Sequence, residues 1–99
     1  MLKQVHLYIK GDVICVGFRS WVKIHAKIFG VTGWVRNVNN HPDIYGPGGG
    51  VEAQIQGEEE EVKQIIELIK KGPPASHVAG VEIFWQEPKE VFDEFKMVK

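Results

Sequence analysis

A single cysteine, Cys15, leaves this chain of 99 residues without an intrachain disulfide, so its core must hold by packing alone. That sparse cysteine use also makes a cytoplasmic setting the expectation. Charge of either sign is not in excess: 12 Lys+Arg stand against 13 Asp+Glu, a net charge of −1. A broad nucleic-acid footprint needs a basic stripe, which such a balance does not supply. No apolar run approaches the roughly 20 residues that cross a bilayer, so no membrane partner is expected. The start, Met1 to Leu7, alternates like a strand and lacks the apolar block of a signal peptide. His6, His25, His41 and His77 are scattered without metal-ligand spacing, so they are read as satisfied or exposed, with no metal and no cofactor.

Two familiar phosphate motifs are missing as well. Walker A needs Gly-Lys-Ser/Thr, whereas Gly17 is followed by Phe18-Arg19. The cluster Gly46-Pro47-Gly48-Gly49-Gly50 lies between two strand patterns and opens no helix, so it is not a dinucleotide fingerprint.

What is present is a regular alternation of strand and helix signals over residues 1–99, read as one domain. Val5, Leu7 and Ile9 alternate with His6, Tyr8 and Lys10 in a first strand. Phe18, Trp21, Val22, Ala26 and Phe29 recur at helical spacing, and Gly30 stands where a helix ends. Gly33 to Val38 reads as a second strand. Val51, Ala53 and Ile55 alternate with Glu52, Gln54 and Gln56 in a third strand with one wet face. Val62, Ile65, Ile66 and Ile69 form the stripe of a second helix, with Glu58 to Glu61 at its positive end and Lys70 and Lys71 at its negative end. Val81, Ile83 and Trp85 make a fourth strand, and Val91 to Val98 could add a fifth.

This order is βαββαβ. Two right-handed βαβ units of this kind give an α+β, ferredoxin-like sandwich with both helices on one face of an antiparallel sheet. Trp21, Trp34 and Trp85 fall in the periodic patterns and are expected in the core or half-buried. The irregular stretch Asn39 to Gly50 holds two prolines and four glycines, which cannot continue a strand. It is expected to be a long, mobile surface excursion of a hairpin.

The chemistry gathers around the first connection. A loop from Gly11 to Gly17 feeds a helix whose first turn carries Arg19. Such a loop aims unpaired N–H groups one way at the positive end of a helix dipole. An arginine fork beside them suits phosphate oxygens, so residues Val13, Ile14, Cys15, Val16, Gly17 and Arg19 form a candidate anion site. Asn37, near the end of the second strand, is either a turn-capping residue or a carboxamide that donates to and accepts from one water.

Gly11-x-Val13-x-x-Val16-Gly17-Phe18-Arg19, with Gly30-x-x-Gly33-Trp34-Val35-Arg36-Asn37 after it, resembles the signature of the acylphosphatases. Val51-Glu52-Ala53, Gly57 and Gly72-Pro73-Pro74-Ala75 are similar to that family's later landmarks, so the resemblance covers nearly the whole chain. It implies hydrolysis of a carboxylic-phosphoric anhydride, with Arg19 binding the phosphate and Asn37 orienting the attacking water. The partner implied is a small-molecule acyl phosphate, inorganic phosphate is the product, and the working unit is a monomer. An acyl phosphate has a good leaving group and a phosphate that accepts a proton, so neither a protein nucleophile nor a metal is required for the reaction.

The loop departs from the family's common Gly-x-Val-Gln-Gly-Val, with Ile14 in place of the glutamine and Cys15 in place of the second glycine. The family usually turns tightly where this chain has residues 39–50, so that segment is an insertion. The alternative reading is a non-catalytic ferredoxin-like module that binds an anion or a partner through an altered phosphate loop. An RNA-binding module is disfavoured, because Glu52, Gln54 and Gln56 offer no basic-aromatic display.

Overall fold

The computed structural model describes residues 1–14 and 16–98, so Cys15 and Lys99 lie outside the described residues. The chain runs β1 (Leu2–Asp12), α1 (Phe18–Phe29), β2 (Thr32–Val38), α2 (Pro42–Tyr45), β3 (Gly50–Glu58), α3 (Glu59–Lys71), β4 (His77–Gln86) and β5 (Phe95–Val98). The strands form one sheet in the order β4-β1-β3-β2-β5. The alternation of β1 and β3 decides which face is dry. Val5, Leu7 and Ile9 pair across to Ile55, Ala53 and Val51, and all six are fully buried. Against them pack Phe18, Val22 and Ala26 of α1 and Val62, Ile65, Ile66 and Ile69 of α3. Each such side chain contributes about 1.5–3 kcal/mol relative to exposure, which makes this stripe-on-sheet contact the main source of stability.

Both helices end as their sequences suggest. Gly30 is left-handed and its N–H reaches back to the α1 carbonyls. The acidic first turn and basic last turn of α3 answer its dipole at each end.

The sheet is not wholly antiparallel. β5 lies parallel to β2, from Gly33 opposite Phe95 to Arg36 opposite Val98. It also starts at Phe95 rather than Val91, because residues 87–94 are spent crossing from the β4 edge to the β2 edge. That crossing overturns a second expectation, the wet face of β3. Gln56 is 1% exposed and Glu52 9%. The Gln56 amide donates to Gln4 Oε1 (3.0 Å) and to the Glu90 carbonyl (2.7 Å), while the Phe92 N–H donates to Gln56 Oε1 (3.0 Å). Gln56 stays polar in a central strand because the crossing segment supplies hydrogen-bond partners in place of water, while Glu52 is met by Arg36 and His6.

The insertion also departs from expectation. It is not a structureless excursion: α2 folds within it and Tyr45 is buried. Trp85 is the other exception, 47% exposed with Phe84 at 49%, because β4 is an edge strand with a neighbour on one side only. Trp21 and Phe29 do pack against the core.

Gln56→Leu adds apolar surface but strands the Gln4 oxygen, the Glu90 carbonyl and the Phe92 N–H. Urea unfolding is expected to show a loss of about 1–3 kcal/mol, the cost of buried polar groups without partners. A variant as stable as the parent would show that Gln56 does not hold the crossing segment.

Candidate active site

The connection from β1 to α1 is tied down by apolar anchors. The pairing of β1 with β4 shifts register between Lys10 and Gly11 and continues to Asp12 opposite His77, so the strand leaves the sheet through an irregular last step. The Val13 N–H then closes a tight turn on the Gly11 carbonyl (3.0 Å). Val13 is buried at 1% exposure, Phe18 likewise, and Val16 packs against the core. With both ends of the loop pinned, its backbone path is set by side chains pointing the other way.

Gly17 is the residue that converts this path into a helix. It adopts left-handed φ 74° and ψ 19°, and its carbonyl accepts the first bond of α1 from Trp21 N–H at 3.0 Å. A side chain there would meet no neighbouring atom, so glycine is wanted for its backbone and not for space. No side chain caps α1, and its first turn carries no acidic residue. Most helix starts are answered by Ser, Thr, Asp or Asn. This one leaves its first N–H groups and positive dipole end without a side-chain cap among the described residues.

Arg19 lies in that first turn, and its Nη1 donates to the Val98 carbonyl at 3.3 Å. Val98 is the β5 residue opposite Arg36, the immediate neighbour of Asn37. Asn37 itself stands opposite Val51 in the β2–β3 ladder, on the helix-covered face with Val35. Its carboxamide makes no hydrogen bond among the described residues. A second tether runs from the loop. Ile14 Cδ1 lies beside Gly49, in the same contact as the Val38 carbonyl and Asn39 Oδ1, just beyond Asn37. Asn37 is thus placed between two tethers, Arg19 to the end of β5 and Ile14 to the end of β2.

Val13, Ile14, Val16, Gly17, Arg19 and Asn37 therefore share one end of the sheet. Cys15, assigned with them from sequence, lies outside the described residues. Two features escaped the sequence reading. One is Val98 as the partner of Arg19, which no local pattern could announce. The other is a charged cluster on the opposite face of β2. There Arg36 Nε and Nη2 converge on Glu52 Oε1, each at 2.6 Å, while His6 Nε2 meets Glu52 Oε2 at 2.6 Å. The Gln54 amide nitrogen can only donate to His6 Nδ1 (3.0 Å), which leaves Nε2–H to donate to Glu52. Arg36 also lies over the Trp34 ring, 5.6 Å from its centroid. The cluster clamps β2 to β3 at the residue before Asn37.

A ferredoxin-like sheet with an uncapped helix start, an arginine in its first turn and an asparagine at the same end defines a class of small α+β domains. Comparison with known proteins narrows it. The sequence model described as Acylphosphatase matches residues 5–97. A protein named acylphosphatase from Methanothrix thermoacetophila is 40% identical over 94 residues, covering 95% of this chain and 94% of that one. Another, from Thermococcus kodakarensis, is 42% identical over 95 residues, covering 96% and 94%. The crystal structure of acylphosphatase from Bacillus subtilis superposes with a TM-score of 0.87 at 29% identity, covering all of both chains. The chain belongs to the acylphosphatase family.

Gly17→Ala is expected to cost about 1–2 kcal/mol in chemical unfolding, the penalty for an L side chain in left-handed backbone. Gly33→Ala is expected to cost far more, since its Cβ would collide with the Gln54 carbonyl across the ladder. Equal costs at the two sites would contradict the assignment of Gly17 to conformation and Gly33 to close approach.

Proposed function

We propose that this chain hydrolyses the carboxyl–phosphate bond of small acyl phosphates, releasing a carboxylate and inorganic phosphate. The observation that carries this reading is the convergence of an unanswered helix start, Arg19 and Asn37 at one end of the sheet. Family membership supports it. In this reading the phosphoryl oxygens sit against the backbone N–H groups of Ile14, Val16 and Gly17, with that of Cys15 assigned to the same set from sequence, and against the Arg19 fork, while the Val13 N–H stays on the Gly11 carbonyl. Asn37 accepts from and donates to the attacking water, holding it in line with the leaving carboxylate. Water oxygen bonds to phosphorus, the P–O bond to the carboxylate breaks, and the water proton passes to a phosphoryl oxygen. The carboxylate leaves without further protonation, so positioning and charge stabilisation supply the acceleration.

Arg19 in this scheme is drawn from its contact with Val98 to the phosphate as charge develops. The same contact strengthens in the transition state, so its loss affects turnover as well as affinity. The reading extends to residues 1–99 acting as one domain, as a cytoplasmic monomer without a nucleic-acid partner. Its support is the single cysteine and the near-even charge of the chain.

The test is phosphate release from benzoyl phosphate. Arg19→Ala is expected to abolish turnover, and Arg19→Lys to be severely impaired, since lysine keeps the charge but loses the fork. Asn37→Ala is expected to lower turnover by roughly 100-fold or more while inorganic phosphate still inhibits at similar concentrations. Near-normal turnover by Arg19→Ala would end the assignment. Phosphate binding by an unaltered chain with no turnover would favour a non-catalytic anion-binding module.

A further inference from the structure

The insertion between β2 and β3 is built against the phosphate loop, and the details of that contact give it a task. α2 begins with Pro42, whose fixed backbone and missing N–H suit a helix start. The helix closes when the Gly46 N–H reaches the Pro42 carbonyl at 2.9 Å. Its last residue, Tyr45, turns onto the sheet. The ring lies over Gly50, where any Cβ would collide with it, and meets Tyr8 of β1 edge-on at 6.1 Å between centroids. Burial, with Glu52 beside it, pushes the phenol well above its usual range, so the hydroxyl stays neutral. That hydroxyl has no hydrogen-bond partner among the described residues. The ring is therefore an apolar anchor, and its polar tip contributes nothing to the docking.

From the anchor the chain takes two steps to the loop. Gly50 is held in the ladder opposite both Lys10 and Val38. Gly49, left-handed at φ 76°, turns the insertion so that its backbone faces Ile14. A Cβ at Gly49 would stand 2.9 Å from Ile14 Cδ1 and 2.6 Å from the Val38 carbonyl oxygen, so only glycine allows this approach. Ile14 is half-buried, and it follows Val13, whose side chain takes the opposite course into the core. A mobile surface excursion would not have a buried aromatic at one end and two required glycines at the other.

We propose that the insertion is a buttress for the phosphate loop: Tyr45 docks it on the sheet, and Gly49 presses it against Ile14, holding the loop N–H groups in their anion-binding arrangement. Tyr45, Gly49 and Ile14 are positioning residues and do not touch the substrate's reacting atoms through their side chains. This inference rests on the phosphate site described above. A loop that samples other arrangements binds its ligand in proportion to the fraction of time it spends competent. Undocking the insertion should therefore weaken phosphate binding without moving the chemistry performed once phosphate is bound.

The test is titration calorimetry with inorganic phosphate, well below the thermal transition of each variant. If undocking drops the competent fraction to about one in ten, Tyr45→Ala raises the dissociation constant about tenfold. Tyr45→Phe keeps the ring and is expected to bind as the parent does. Ile14→Ala, which removes the contact from the loop side and leaves the core intact, should show the same loss. The double variant should be no weaker than either single one, because both break one link. In the hydrolysis assay the loss should appear in KM, with kcat nearly kept. Parent-like phosphate binding by Tyr45→Ala and Ile14→Ala, with Arg19→Ala failing to bind, would overturn the buttress and leave the phosphate site standing. Absence of phosphate binding in the unaltered protein would overturn both.

Discussion

Backbone N–H groups in the first turn of a helix cannot be satisfied within that helix, and α1 is given neither a capping side chain nor an acidic residue to answer them. The rest of the structure at this end of the sheet is arranged around that unmet demand. Val13, Val16 and Phe18 sink into the core and so fix where the loop backbone runs. Gly17 takes the one backbone conformation that joins this loop to a helix. Arg19 adds a permanent charge to the same spot and is parked on the Val98 carbonyl. With glycine at the cap position, leaving the side-chain cap unused forgoes only a few tenths of a kcal/mol of helix stability. In the proposed reading the open helix end and its loop are held ready for phosphate, and only Arg19 has to move, from the Val98 carbonyl to the anion.

The opposite face of the sheet serves the same end through β2. Glu52 is buried and ionisable, a costly combination unless both of its oxygens are met. Arg36 takes one oxygen and His6 the other, and Gln54 fixes the His6 ring from behind. Removing Arg36 would leave the Glu52 carboxylate with the His6 N–H as its remaining partner, an unfavourable arrangement for a group this buried. The cluster therefore locks β2 to β3 at Arg36, and alternation sends the next side chain, Asn37, through to the helix-covered face. The role proposed for the Asn37 carboxamide calls for a rigid stem, and a central strand pair clamped on its reverse face is one.

Most of this was legible before the fold was known. The apolar periods of β1, α1, β3 and α3 are long and consistent, and they set the layers, the dry face and the helix ends. The loop glycines and Arg19 marked the candidate anion site because their chemistry is local. What the sequence hid was non-local. Glu52, Gln54 and Gln56 read as a solvated face because alternation reports polarity and not what covers it. The cover comes from residues 87–94, more than thirty positions later, and from an insertion whose Gly/Pro content suggested looseness. Tyr45 was lost among those glycines, although a lone aromatic in such a segment is the one residue able to anchor it. The parallel pairing of β5 was hidden for a similar reason, since four residues carry too little pattern to choose a neighbour.

The central claim is that the open end of α1 and its loop are where phosphate binds. Amide chemical shifts of the isotope-labelled protein, followed during titration with inorganic phosphate, test it residue by residue. The account predicts that the largest shifts cluster at Val13, Ile14, Val16, Gly17, Phe18 and Arg19 and saturate together. Shifts concentrated instead at the exposed lysines of α1, with those amides unmoved, would contradict it.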